Sequence, residues 1–389
     1  MDKKHIVYVS GSRADYGLMR NTLIEIAKHP GLKLTIVGAG IHLLDEFGTT
    51  INDIIRDGKQ NGFDVIQAEA TYKNDDRASM AGFVGEFIVE LTKILNNMRP
   101  DMLLVVGDRG EMLAGAVAAA YLGVCIVHVH GGEVSSTVDE VARHALTKLA
   151  HIHLASTQES AGRIIRMGEE KKNVYVVGAP GIDEIVKFSV NRNELEKKLR
   201  IKLSDKFAII AQHPVSAEIE QAKGQIKETI EGVLSAGLQA IIIYPNADAG
   251  GRGMIEVIEQ YRNRARANQP INIFKSLKRD EFLGLMKYAS VMIGNSSSGI
   301  IEAASFKLPV VNVGTRQSGR QRGCNVIDSD YDRKRILDAI KKALYDKKFR
   351  LSLSKCKNLY GDGKTAVRIA KLLAGINIDN ELLQKRITY

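Results

Sequence analysis

Short runs of branched apolar residues alternate with longer amphipathic stretches along almost the whole chain. In the first half the runs are HIVYVS, LKLTIVG, FDVIQA, DMLLVVGD, CIVHVH, IHLAST and NVYVVG. Between them, YGLMRNTLIEIAKH, ASMAGFVGEFIVELTKILNNM and EMLAGAVAAAYLG place apolar residues three and four apart, the spacing of one helix face. Strands that are apolar at nearly every position, separated by helices, predict a parallel sheet covered on both faces. After Gly178 the rhythm stops for the charged stretch NRNELEKKLRIKLSDK. It restarts with FAIIAQ, LQAIIIY, INIFKS, SVMIGN, LPVVNV and NVID. The pattern predicts an α/β protein with two doubly wound, Rossmann-like domains, 1–180 and 181–363. An amphipathic helical segment, 364–389, closes the chain.

Composition adds mainly exclusions. The net charge of +10 comes from Lys and Arg interspersed with acids, as in NRNELEKKLR, which reads as solvated helix faces. There is no dense basic block and no tryptophan, so a nucleic-acid partner is not expected. Cys125, Cys324 and Cys356 are far apart, odd in number and without CxxC spacing. Neither a zinc site nor a disulfide framework is expected from them. The opening MDKKHIVYVSGSR has too short an apolar run for a signal peptide, and no run would span a bilayer. The expectation is a cytoplasmic protein with no membrane partner.

In doubly wound sheets, ligands bind beyond the carboxyl ends of the strands. Polar and glycine-rich residues collect there in both halves, and two facing rims would form a cleft. In the second half, SVMIGNSSSGIIEAASF runs from a strand through a Gly/Ser loop into a helix. Gly294 and Gly299 permit close backbone approach, and Ser296, Ser297 and Ser298 add hydroxyls. Such a turn suits a phosphate, although a plain serine-capped helix start would look the same. Arg316 and Arg320 in GTRQSGR favour the phosphate, since a guanidinium fork matches a diphosphate. Glu302, one turn into the expected helix, is placed to accept ribose hydroxyls. In the first half, SGSRADYG offers Arg13 to a phosphate or carboxylate. It is not GxGxxG, which disfavours a hydride-transfer enzyme.

The stretch IVHVHGGEVSSTVDEVARHA ends an apolar strand in two histidines and two glycines, then supplies Glu133, Asp139 and Glu140. Asp108 and Arg109 follow the strand DMLLVV, and His213 follows FAIIAQ. Acids crowded at one rim repel one another and take up protons nearer neutral pH, which suits acid–base work. Asp139 and Glu140 could also be first-turn acids answering a helix dipole. HVHGGE lacks the helical histidine spacing of a zinc protease, so no metal is expected.

Taken in order, GSRADYG, GAGIHLLDEFGTT, GDRGE, HGGEVSSTVDEVARHALTKLAHIH, QHPV, YPNADAGG, IGNSSSGIIEA and GTRQSGR resemble the hydrolysing UDP-N-acetylglucosamine 2-epimerases. The non-hydrolysing sister branch typically shows GDTTT and HVEAGLR where this chain has GDRGE and HGGEVS. The resemblance implies a GT-B-like fold, C-terminal helices returning to the N-terminal domain, and a homodimer or homotetramer. It implies conversion of UDP-N-acetylglucosamine and water to UDP and N-acetylmannosamine through 2-acetamidoglucal, with no metal or nicotinamide. On the matched motifs, Asp108, Glu133, Asp139 or Glu140, and His213 would carry the chemistry. Arg13, His42, Arg109, Asn246, Asp248, Ser296, Ser297, Ser298, Gly299, Glu302, Arg316 and Arg320 would bind substrate. The kinase module of the animal bifunctional enzymes is not expected, because the sequence ends at Tyr389. Three alternatives stay open: the same reaction on UDP-2,4-diacetamido-2,4,6-trideoxyglucose, a GT-B glycosyltransferase, and a non-catalytic sugar-nucleotide-binding regulator.

Overall fold

A computed structural model describes the chain except residues 1–2, 45–48, 72–76, 135–138, 216, 246–249 and 263–269. The side chains of Arg77 and Asp139 also lie outside the described set. The chain divides into two compact units. One comprises residues 1–133, 138–184 and 360–389; the other comprises 134–137 and 185–359.

The first unit holds seven strands: β1 (Lys4–Ser10), β2 (Leu32–Gly38), β3 (Asp64–Gln67), β4 (Met102–Val106), β5 (Cys125–Val129), β6 (Ile152–Ala155) and β7 (Val174–Val176). They form one sheet in the order β3-β2-β1-β4-β5-β6-β7, and every pairing is parallel. β4 and β5 are buried at every residue, which is why they read as continuous apolar runs. The second unit holds β8 (Phe207–Ala211), β9 (Gln239–Ile243), β10 (Ile271–Phe274), β11 (Val291–Gly294), β12 (Val310–Val313) and β13 (Val326–Ser329). Their order is β10-β9-β8-β11-β12-β13, again parallel throughout.

In each sheet the strand order reverses once, at β1/β4 in the first and at β8/β11 in the second. Loops leaving the two strands at such a point diverge to opposite faces and open a crevice, the usual ligand position in doubly wound sheets. Ser12 and Asp108 follow β1 and β4; His213 and Ser296 follow β8 and β11.

The last segment belongs to the first unit. Asp183 caps the helix Thr365–Gly375 by accepting the amides of Thr365 (2.9 Å) and Ala366 (2.6 Å). Ile369, Ala370 and Leu373 of that helix join the first unit's core. Lys4 closes its far end by donating to the carbonyls of Ala374 (2.8 Å) and Ile376.

Two expectations need correction. Cys324 and Cys356 form a disulfide, with Cα atoms 5.8 Å apart. They are 32 residues apart in sequence, so no local spacing announced the pair; chain folding within the second unit brings them together. The helix after β11 is also shorter than its pattern. It spans only Ser297–Ile301, and Glu302 is its C-cap residue, followed by a 3-10 turn over Ala303–Phe306. Two serines and a glycine at its start are poor helix formers.

Candidate active site

In the first unit one arginine ties two strand ends together. The helix Asp139–Leu149 presents Arg143, which is 5% exposed. Its guanidinium donates to the Asp108 carboxylate beyond β4 and to the Glu133 carbonyl (3.1 Å) beyond β5. Glu133 is itself buried at 3% exposure, and the Ser160 hydroxyl donates to its Oε1 at 2.9 Å. Two neighbouring strand ends thus meet on one side chain.

The chain reaches this point through unusual backbone. His130 has φ of 64° and Gly132 has φ of 71°. A Cβ on Gly132 would collide with the Ser160 carbonyl, so the GG turn is required there. The Ser156 hydroxyl lies 2.7 Å from His130 Nδ1. His128, two residues earlier, is a wall residue. It is wholly buried, its Nε2 lies 2.8 Å from the Gly107 carbonyl, and burial pushes its pKa down to about 3. The neutral ring therefore carries its proton on Nε2 and donates to that carbonyl.

Beyond β1 lies a buried polar chain. Asp15 accepts from the Ser10 hydroxyl (2.5 Å), the Ser12 amide (2.7 Å) and the Ser12 hydroxyl (2.8 Å). Burial raises its pKa to about 6 despite these donors, and the nearby Glu111 carboxylate pushes the same way. Ser10 also meets His42 Nε2 at 2.9 Å, while His42 Nδ1 meets the Thr50 hydroxyl at 2.7 Å. Burial lowers the His42 pKa to about 4. Both ring nitrogens are engaged within the fold. Arg109 Nη2 lies 3.1 Å from Glu111, a fully buried carboxylate. Arg13 is exposed at the first residue of the helix Arg13–Lys28. Glu140 Oε1 lies 3.4 Å from His144 Nε2, one turn along its helix.

In the second unit the organising residue is Asn295, 1% exposed. Its side-chain amide accepts from the His213 N–H (2.7 Å) and donates to the His213 carbonyl (2.9 Å). Its own carbonyl accepts from Gln317 Nε2 (2.8 Å) and Arg316 Nη1 (3.3 Å). Arg320 Nη1 in turn donates to Gln317 Oε1 at 3.0 Å. One asparagine therefore joins the QHP, GNSSS and GTRQSGR stretches. Gly294, with φ of 124°, is needed because a Cβ there would strike the Ala211 carbonyl. Ser296, Ser297 and Ser298 are partly exposed beside it, and Gly299 is buried. Glu302 is 5% exposed and paired to Arg279, whose Nη2 lies 2.5 Å from Oε1. A ribose would have to share that carboxylate with the guanidinium. Asn246, Asp248 and the Asp139 side chain lie outside the described residues.

The sequence reading missed Arg143, Asp15, Ser160 and Asn295. Arg143 had a signal: it stands four residues after Asp139 and three after Glu140, on the same helix face. Among the described residues no group of three or more His, Cys, Asp or Glu side chains is placed to hold a metal ion.

A sequence profile described as UDP-N-acetylglucosamine 2-epimerase matches residues 24–374. The chain belongs to that family. A UDP-N,N'-diacetylbacillosamine 2-epimerase (hydrolyzing) from Legionella pneumophila is 40% identical over 388 residues, covering 99% of this chain and all of that one. A UDP-N-acetylglucosamine 2-epimerase from Neisseria meningitidis is 32% identical over 343 residues, covering 87% of each. In fold, the chain is similar to the crystal structure of the Neisseria meningitidis UDP-GlcNAc 2-epimerase bound to UDP-GlcNAc. The TM-score is 0.79 at 16% identity, covering 95% of this chain and 99% of that one. The 2-epimerase family resemblance and the GT-B-like α/β class read from the sequence are thereby borne out.

Proposed function

We propose that this epimerase is of the hydrolysing kind and acts on UDP-2,4-diacetamido-2,4,6-trideoxyglucose, that is, UDP-N,N'-diacetylbacillosamine. The observation that carries the choice of sugar is the 40% identity, across essentially the full length of both chains, to the Legionella pneumophila enzyme. The 32% identical Neisseria meningitidis relative supports a second reading, in which UDP-N-acetylglucosamine is the substrate.

The chemistry is common to both. C2–H of the sugar is not acidic, because no carbonyl stands beside C2. Breaking the C1–O bond sends the electron pair out with UDP and leaves an oxocarbenium-like C1, which acidifies C2–H. A carboxylate takes that proton and a C1=C2 glycal forms. Water then adds its oxygen to C1 and loses a proton, while an acid delivers a proton to C2 on the opposite face. The product is a free sugar inverted at C2.

Two proton-transfer stages need two proton carriers held in place. Asp108, bound by Arg143, and Glu133, whose backbone carbonyl the same guanidinium holds, are our candidates, with Asp139 or Glu140 as the further acid. His213, clamped at its backbone by Asn295, would assist at the glycosidic phosphate. Arg13, Ser296, Ser297, Ser298, Arg316 and Arg320 would stabilise charge on the departing diphosphate.

Steady-state kinetics with both sugar nucleotides tests the choice. We expect kcat/KM for the diacetamido-trideoxy sugar to exceed that for UDP-N-acetylglucosamine by about 100-fold. A site built to pair the extra amide discriminates strongly against a sugar lacking it. A ratio in favour of UDP-N-acetylglucosamine would select the second reading.

A further inference from the structure

A second charged cluster lies in the first unit, among groups that the proposed chemistry does not use. Glu169 is 2% exposed yet accepts from Lys148 Nζ (2.6 Å) and Lys385 Nζ (2.6 Å), and it pairs with His153 Nε2 (3.0 Å). Lys385 comes from the last residues of the chain. Its ammonium also lies within hydrogen-bond distance of the carbonyls of Thr147 (3.0 Å), Lys148 (2.7 Å) and Ala150 (2.6 Å), so that with Glu169 its three N–H groups are shared among four acceptors. These oxygens end the helix Asp139–Leu149, where carbonyls have no partner within the helix and the dipole is negative. One cation closes the helix, and one buried carboxylate balances its charge.

The same helix carries Arg143. Its carbonyl accepts from the Thr147 hydroxyl at 3.1 Å, so the turn that Lys385 holds is bonded directly to the turn that holds Asp108. Arg143 and Ala150 are roughly 10 Å apart along the axis at the rise of an α-helix. We propose that Lys385 is a positioning residue for the epimerase reaction: by fixing the C-terminal turn of this helix, it sets where Arg143 holds Asp108 and the Glu133 carbonyl. The inference rests on the function proposed above. An error of about 1 Å at a reacting group can cost about 100-fold in rate, so a remote anchor of the helix is felt in catalysis.

Wild type, Lys385→Met and Lys385→Arg should be compared in the full-length chain, each below its own unfolding temperature. Two readouts are needed: kcat and KM for the sugar nucleotide, and hydrogen exchange of the amides at Val141–Ala145. The methionine variant is expected to lose at least about 10-fold in kcat with KM within about 2-fold, and to exchange faster at those amides. The arginine variant, which can still donate to several carbonyls, is expected to recover most of both. Unchanged kcat in Lys385→Met, or a fall in kcat with unchanged exchange at Val141–Ala145, would overturn the proposal. If wild type turns over neither sugar nucleotide, the functional reading fails, while exchange still decides whether Lys385 positions Arg143.

Discussion

Arg143 ties the Asp108 carboxylate to the backbone at Glu133. Its guanidinium spans a carboxylate beyond β4 and a carbonyl beyond β5. A lysine offers one ammonium on a flexible stem and cannot bridge both in a fixed plane. Arg143→Lys should therefore lose nearly as much kcat as Arg143→Met, at least about 10-fold, in steady-state assays. A lysine variant with wild-type turnover would show that charge alone suffices. Asp108→Asn and Glu133→Gln each remove a carboxylate that we propose as a proton carrier, while keeping its shape. Each should lower kcat by about 100-fold or more while the far-UV circular dichroism stays native. Near-normal turnover in both would remove them from the mechanism. Asp108 and Glu133 were visible as candidates because they lie in the loops just beyond the buried strands β4 and β5. Arg143 and Asn295 were not, because each acts by reaching a residue distant in sequence: Asp108 lies 35 residues before Arg143, and His213 lies 82 before Asn295.

At the scale of elements, the thirteen strands among the described residues were all visible as apolar runs, most clearly the central ones such as β4, β5 and β8, which are buried at every residue and have no polar side to blur the signal. Helix length was less legible. The run SSSGIIEAASF has helical periodicity, yet it folds as one α-turn and one 3-10 turn broken at Glu302. The tail clamp left no sequence pattern, since it joins Lys385 to carbonyls more than 230 residues earlier. It does predict a pH dependence. Burial pushes the Glu169 pKa up, but bonds from His153, Lys148 and Lys385 outweigh burial and hold it down to about 2. A carboxyl with a depressed folded pKa stabilises above its unfolded value near 4.3 and loses that contribution as pH falls towards 2. Burial also lowers the His153 pKa, so acid forces an unfavourable charge beside the same group. Urea unfolding at pH 7 and pH 3, the latter inside the window between the two pKa values, should show wild type losing stability on acidification, with a smaller loss in Glu169→Gln. Parallel curves for the two proteins would contradict the ion cluster.

At the scale of the whole molecule, the Cys324–Cys356 disulfide stands against the expectation drawn from cysteine spacing. It also sits uneasily with a cytoplasmic location, because reducing compartments keep most thiols unpaired. Among the described residues no helix is long and apolar enough to cross a membrane. Cys125 is buried, and burial pushes its thiol up to about 12, so it should not react in the native state. Thiol titration is expected to find no reactive group in the native protein, one after unfolding without reductant, and three after reduction. Three thiols without reductant would show that the pair is open in solution.

The central claim is a reaction in which C2 loses one proton and gains another from solvent while UDP departs. Proton NMR of the enzyme with UDP-N,N'-diacetylbacillosamine in deuterated buffer tests it most directly. We predict free UDP and a free 2,4-diacetamido-2,4,6-trideoxymannose carrying deuterium at C2. A product that keeps its original C2 proton, or a mannose-configured sugar still joined to UDP, would contradict the account.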